Sequence, residues 1–307
     1  MSVIVFGSIN MDLVARTPRL PAPGETLIGH EFTTVPGGKG ANQAVAAARL
    51  EIPTTMVGRV GSDTFGAALL QALSSSGVNC DRIAVETTTG SGVAIIAVDD
   101  ASENTIVVIP GANGLVDQSD VERLQLALSP TSVLMLQLEI PLLAVVNAAK
   151  AAKQRGATVM LDPAPAQSGL PAELYTYIDI ITPNQVEASQ LVGFPVETLV
   201  QAEQAAQVLR QRGAATALIK LGKLGAICAT ADHTFHIPSF PVAAVDTVAA
   251  GDAFNGGLAA GLAEGLSLPQ AMTQAAAVAA LAVSKPGAQS SLPTRAELVA
   301  FLARQHP

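Results

Sequence analysis

The chain has 307 residues, 49% of them hydrophobic, enough to bury a sizeable core as one large domain or two small ones. A formal charge of −8 repels phosphate backbones and anionic lipid, and 3% aromatic residues with no Trp leave little with which to stack bases; nucleic acid and membrane surfaces are therefore disfavoured as partners. Cys80 and Cys228 have no CxxC partner and are expected as reduced, buried thiols, and the histidines lack HExxH spacing, which argues against zinc.

The opening MSVIVFGSIN has neither a basic n-region nor a small-residue cleavage site, so it reads as a first strand, and the expected location is the cytoplasm. Short β-branched runs then alternate with alanine-rich helical runs. SVIVFGSI (2–9), TTMVGRV (54–60), SVLMLQLE (132–139), ATVMLDP (157–163), DIITPN (179–184) and TALIKLG (216–222) read as strands. GANQAVAAARL (40–50), DTFGAALLQALSSSG (63–77), PLLAVVNAAKAAKQRG (141–156) and AGDAFNGGLAAGLAEG (250–265) read as helices, the second capped by Asp63. AAAVAALAV (275–283) is too short to span a bilayer and reads as a buried helix. Continuously apolar strands between helices predict an α/β fold with a mainly parallel sheet covered on both faces. Residues 12–36 and 91–109 break the rhythm; they read as hairpin-like pieces that could pair into a small separate sheet, a lid or a dimer surface. No domain boundary is evident in 1–307.

Ligands of open α/β sheets bind at the carboxyl ends of strands. Asn10, Asp12, Glu139, Asp162, Asn184 and Glu187 all follow predicted strands. PGGKGANQA (36–44) is a glycine-rich loop opening a helix, which suits an anion; it is not a Walker A loop, and read alone it is equally a tight turn with Lys39 an exposed charge. In TVAAGDAFNG (247–256), Asp252 lies in the first turn of a helix, where the amides of Ala250, Gly251 and Asp252 are expected to lack helical acceptors. An Asp there can simply cap the helix. An anion hole beside a carboxylate also suits phosphoryl transfer to an alcohol, with the amides holding the phosphoryl group and the carboxylate taking the hydroxyl proton.

Taken together, GSINMD (7–12), PGGKGANQA (36–44), LQLE (136–139), DPAPA (162–166), TPNQVE (182–187), LGKLGA (221–226), DTVAAGDAFNG (246–256) and KPGAQSSLP (285–293) resemble, in order and over nearly the whole chain, the ribokinase family of PfkB-type carbohydrate kinases. The resemblance implies a three-layer α/β sandwich with a small β-sheet lid. It implies Asp252 as the base for a sugar 5-hydroxyl, framed by Ala249, Ala250 and Gly251. Asn10, Met11, Asp12, Gly38, Lys39, Gly40, Ala41, Asn42 and Glu139, with Asp252, would bind the pentose. Asn184, Lys220, Leu221, Gly222, Lys223, Leu224, Gly225, Gly251 and Ala276 would contact ATP, and Glu187 would organise Mg²⁺. Asp246, Val248, Ala282, Lys285, Gly287 and Ser291 match a K⁺ loop, with Asp246 and Ser291 contributing other than main-chain carbonyls. The family often has Thr where this chain has Lys220, and a polar residue where it has Ala276; a lysine there could reach phosphates or point to solvent.

The implied reaction moves the γ-phosphoryl of ATP to the 5-hydroxyl of D-ribose, in a homodimer joined through the lid. The alternatives are a kinase for deoxyribose, a ketohexose or a nucleoside, or a non-catalytic sugar-binding regulator, which retention of Asp252, Gly251 and Lys39 disfavours. An NAD-linked enzyme is disfavoured because no GxGxxG fingerprint follows a strand.

Overall fold

The first strand, β1 (Ser2–Phe6), is covered on both faces: Val3 and Val5 join one hydrophobic cluster, Ile4 and Phe6 another. That is the two-residue period of a strand applied to a sheet with helices on both sides. A computed structural model of the chain describes residues 1–101, 103–167 and 169–305. Ser102, inside the expected lid segment 91–109, lies outside the described residues, as does His306.

In chain order there follow β2 (Asn10–Thr17), β3 (Glu31–Gly37), α1 (Lys39–Arg49), β4 (Thr54–Gly61), α2 (Thr64–Ser75), β5 (Val78–Glu86), β6 (Gly92–Asp99), β7 (Asn104–Ile109) and α3 (Gln118–Gln125). Next come β8 (Ser132–Leu136), α4 (Leu142–Gln154), β9 (Thr158–Leu161), α5 (Ala172–Tyr177), β10 (Ile180–Ile181), α6 (Gln185–Val192), α7 (Leu199–Gln211) and β11 (Thr216–Lys220). The chain closes with β12 (Ala226–Ala229), β13 (Thr234–Ile237), α8 (Ala250–Ala263), α9 (Leu268–Val283) and α10 (Arg295–Gln305).

Among the described residues, nine strands form one sheet in the order β13-β12-β11-β10-β9-β8-β1-β4-β5. It is parallel from β5 to β11, and β12 and β13 add an antiparallel edge. Helices α1, α2, α8, α9 and α10 cover one face, and α3 to α7 the other. This is the expected three-layer sandwich. From β1 the chain proceeds to β4 on one side and later to β8 on the other, so the sheet switches direction beside β1 and a crevice opens at the carboxyl ends there.

The second sheet has the order β3-β2-β6-β7, with β2 and β6 parallel and the outer pairs antiparallel. The two segments that broke the α/β rhythm do pair into a separate small sheet. Its edge strand β7 is exposed along its whole length, including Ile106, Val107, Val108 and Ile109.

Several expected boundaries shift. The strand read over 132–139 stops at Leu136, and 179–184 keeps ladder pairing only at Ile180–Ile181, because the polar residues beyond turn into the crevice. Asp63 caps α2 as expected, accepting from Gly66 N at 2.7 Å. Both cysteines are free, but only Cys228 is buried; Cys80, on the edge strand β5, is half-buried.

Candidate active site

The crevice collects a polar residue from the end of each central strand, and the structure brings most of the expected residues together there. Gln137 and Glu139 follow β8, Asp162 follows β9, Asn184 follows β10, and Lys220 ends β11. Opposite them stands the mouth of α8. This helix is set close against its neighbours by small residues: a Cβ at Gly256 would lie 2.4 Å from the Ala46 side chain, and one at Gly257 3.0 Å from Val278.

Ala249, the N-cap of α8, adopts left-handed backbone (φ 58°, ψ 12°), which costs a non-glycine residue about 1 kcal/mol. Strain of this kind persists where the surroundings impose it, often at functional sites. Contrary to expectation, the Ala250 N–H has an acceptor, donating to Thr247 O at 3.2 Å. Among the described residues, the N–H groups of Gly251 and Asp252 have no protein acceptor, so two amides rather than three face the anion site.

Asp252 is 6% exposed, and each carboxylate oxygen accepts one hydrogen bond. Asn42 Nδ2 donates to Oδ2 at 3.0 Å, and Gln43 Nε2 donates to Oδ1 at 3.0 Å. Burial pushes the Asp252 pKa up, the nearby Lys39 ammonium opposes this, and Asp162 reinforces it. Gln43 Nε2 also donates to Asp162 Oδ2 at 2.9 Å, while its carbonyl accepts from Gln137 Nε2 at 2.7 Å. Asn42 is itself held by Gln289, whose Nε2 donates to Asn42 Oδ1 at 3.2 Å. Two neighbouring residues of α1, carried inward by the glycine-rich loop, thus fix the carboxylate on both sides.

Lys39 is not the exposed charge that a plain turn would leave. It is half-buried, and although burial acts against its charge, Asp252, Asp162, Glu139 and Glu187 together raise its pKa. Glu139 accepts from the Lys39 backbone N–H at 3.1 Å and from Ser8 Oγ at 2.5 Å. Asp12 reaches the same space from β2; its carboxylate sits over Gly37, where a Cβ would lie 2.2 Å from Oδ2. Asn10 Oδ1 accepts from Asn113 Nδ2 at 2.7 Å. Not every expected contact residue offers a side chain: Met11 and Ala41 are in the core and Gly40 is packed on Ser8, so these can contribute only backbone.

The Asp12 pKa is pushed up from 3.8 to about 7, first by burial and then by Glu139 and Asp252. A pKa raised on folding gives stability that is complete below the unfolded value and is lost as pH rises through the folded one. The sugar-free protein should therefore lose thermal stability between about pH 4 and about pH 7, and Asp12→Asn should flatten that decline. An unchanged melting profile in Asp12→Asn would show that Asp12 is not the group responsible.

On the other side of the α8 mouth, Asn184 and Glu187 form a reciprocal cap on α6. Glu187 accepts from the Asn184 N–H and Nδ2, both at 2.8 Å, and is buried. Burial and then Asp162 raise its pKa against the pull of Lys220. The Lys220 side chain turns inward, donating to Asp162 Oδ1 at 2.9 Å, rather than pointing to solvent. Past it, Gly222–Leu224 form a 3₁₀ turn closed by Leu221 N–H to Gly225 O at 2.8 Å, with Lys223 and Leu224 exposed. Ala276 lies in the core on α9, 8% exposed.

Behind α8, Asp246 ties two loops together: Oδ1 accepts from Val248 N and Oδ2 from Gly287 N, both at 2.9 Å. The Ala282 carbonyl already accepts from the N–H groups of Ser284 and Lys285, Ser291 Oγ donates to Ala288 O, and Lys285 Nζ pairs with Glu297.

Sequence reasoning missed Gln43, Gln137 and Asn113. Gln43 was within reach, since it sits beside Asn42 in the same motif, but only the fold shows a buried amide spanning two carboxylates.

The sequence profile of the pfkB family carbohydrate kinases matches residues 1–295. The chain is 42% identical to a ribokinase of Haemophilus influenzae, over 98% of each protein. It is 37% identical to a deoxyribokinase of Salmonella typhi, over 99% of each. Its fold superposes on the Arabidopsis thaliana ribokinase solved with ribose and ATP with a TM-score of 0.91, at 34% identity and 98% coverage of both chains. A profile match over nearly the whole chain, together with relatives of equal length, establishes that this protein belongs to the pfkB family of carbohydrate kinases.

Proposed function

We propose that the protein transfers the γ-phosphoryl group of ATP to the 5-hydroxyl of D-ribose, giving D-ribose 5-phosphate. The observation that carries the reading is Asp252: a buried carboxylate, fixed by Asn42 and Gln43, beside two unpaired amides at the mouth of α8. The hydroxyl donates its proton to Asp252 while the amides of Gly251 and Asp252 hold the phosphoryl oxygens. Ala249 and Ala250 set the turn. Asp12 and Glu139 accept sugar hydroxyls, and Lys39, Asn10 and Asn42 complete the donor and acceptor set. Gly38, Gly40, Met11 and Ala41 shape the floor by their backbone.

ATP would lie over Asn184 and the Lys220–Gly225 turn, with Gly251 under its phosphates and Ala276 below the base. Magnesium, when bound, neutralises phosphate charge; Glu187 and Asn184 would hold it through water, and the resistance of buried Glu187 to ionisation suits a cation partner. The loops joined by Asp246 offer an all-oxygen set that fits a weakly hydrated cation: Asp246, Ser291 and the carbonyls of Val248, Ala282, Lys285 and Gly287 would hold K⁺. The whole of 1–307 works as one domain, with 12–36 and 91–109 closing over the sugar to exclude water.

A second copy of the chain would cover the exposed apolar strand β7 and make a homodimer. Val107→Glu should then shift the dimer to monomer in sedimentation, and a wild-type monomer would count against the lid interface. No helix among the described residues is long and apolar enough to cross a membrane, and the cytoplasm, where ATP is available, is the proposed location.

The test is ADP release from Mg-ATP with a panel of ribose, deoxyribose, ketohexoses and nucleosides, with and without K⁺. Ribose should give the highest kcat/KM, raised by K⁺. Turnover on deoxyribose alone would keep the mechanism and move the substrate, an outcome that the Salmonella relative keeps in view.

A further inference from the structure

Lys220 ends β11 with its side chain only 12% exposed and its Nζ 2.9 Å from Asp162 Oδ1. Stability does not explain the pair, because a buried ion pair is on average no more stabilising than apolar side chains of the same volume. Its position is more telling. A Cβ placed on Gly251 would lie 3.5 Å from Lys220 Nζ. Cα–Cβ bonds in a helix tilt toward its N-terminus, so the ammonium stands over the mouth of α8, above the free amides of Gly251 and Asp252. An anion seated on those amides is within reach of the ammonium without any backbone movement.

We propose that Lys220 is a catalytic residue that binds the transferring phosphoryl group, with Asp162 as the carboxylate from which the phosphoryl oxygens draw it. The proposal rests on the kinase reading above and names the protein group that balances the charge developing on the phosphoryl oxygens. Asp162 can release the ammonium because it keeps two other partners: Gln43 Nε2 at 2.9 Å, and the charge of Lys39 on its other side. Lys39 works from the sugar side of Asp252 and Lys220 from the nucleotide side. A cation fixed at the transferring group stabilises charge only where it develops, so its loss should fall on kcat rather than on sugar binding.

The test compares Lys220→Met with the double variant Lys220→Met, Asp162→Asn, reading kcat, the KM for ribose and the thermal midpoint. The single variant strips a buried carboxylate of its partner and should melt earlier. The double variant removes both charges, leaves an oxygen that can accept from Gln43, and should recover the midpoint. In both, kcat should fall about 100-fold while the ribose KM moves less than about threefold. A double variant with kcat within about threefold of wild type would overturn the proposal and leave the pair structural. Absence of sugar-dependent ADP release from the wild-type protein would remove the kinase reading and this role with it, whereas a fully active double variant removes this role alone.

Discussion

Asp252→Asn is expected to lower kcat by about three orders of magnitude, with the ribose KM changed by less than about fivefold. The substitution keeps size and shape and removes only the capacity to take a proton. In the proposed reaction Asp252 takes the hydroxyl proton, and two neighbouring carboxylates have partners of their own: Asp162 is tied to Lys220 and Gln43, and Glu139 to Ser8 and the Lys39 N–H. The asparagine amide must also turn one N–H toward Gln43 or Asn42, both of which donate to the carboxylate in the native site. A modest loss of stability should therefore accompany the loss of rate, and a melting curve separates the two. Steady-state kinetics on folded enzyme checks the prediction; a kcat within about tenfold of wild type would leave Asp252 as a buried structural carboxylate joining α8 to Asn42 and Gln43.

Lys39→Met is expected to lower kcat/KM for the sugar by about 100-fold and to move the acidic limb of the kcat–pH profile to higher pH. Lys39 faces Asp252, Asp162, Glu139 and Glu187. The sign follows from what it does to the base. Burial raises the Asp252 pKa, and Lys39 is the first influence that lowers it. Without the ammonium the carboxylate becomes harder to ionise, and a base must be ionised to accept a proton, so activity is lost from the acidic side first. Lys39 itself stays charged throughout the working range, because the surrounding carboxylates more than offset its burial. A variant that loses sugar affinity with an unshifted pH profile would show that Lys39 binds sugar without tuning the base.

Much of this arrangement was legible in the amino-acid order, for identifiable reasons. The central strands betray themselves because both faces are buried, so runs such as VLML (133–136) are apolar at every position. The small separate sheet stood out because Pro and Gly interrupt its segments and its strands are largely half-buried or exposed. Strand β5 went unread because Asn79, Asp81 and Arg82 break up its apolar residues, and the edge pair β12–β13 because four-residue strands carry too little periodicity. At the site, the motifs named most of the residues that meet. They could not show that Asn42 and Gln43 grip opposite oxygens of Asp252, since those bonds join positions more than 200 residues apart and depend on how closely Gly256 lets α8 approach α1. Nor could they show that Lys220 turns inward, because a lysine at a strand end is compatible with either direction; Asp162 decides it.

The central claim is delivery of a phosphoryl group to one particular hydroxyl under Asp252. The phosphorus NMR spectrum of the product formed from D-ribose and Mg-ATP tests it most directly. We predict ADP together with a single phosphomonoester signal coupled to the methylene protons of C5. A signal coupled to the lone proton of C1, or ATP left intact with folded, ribose-binding protein, would contradict the account.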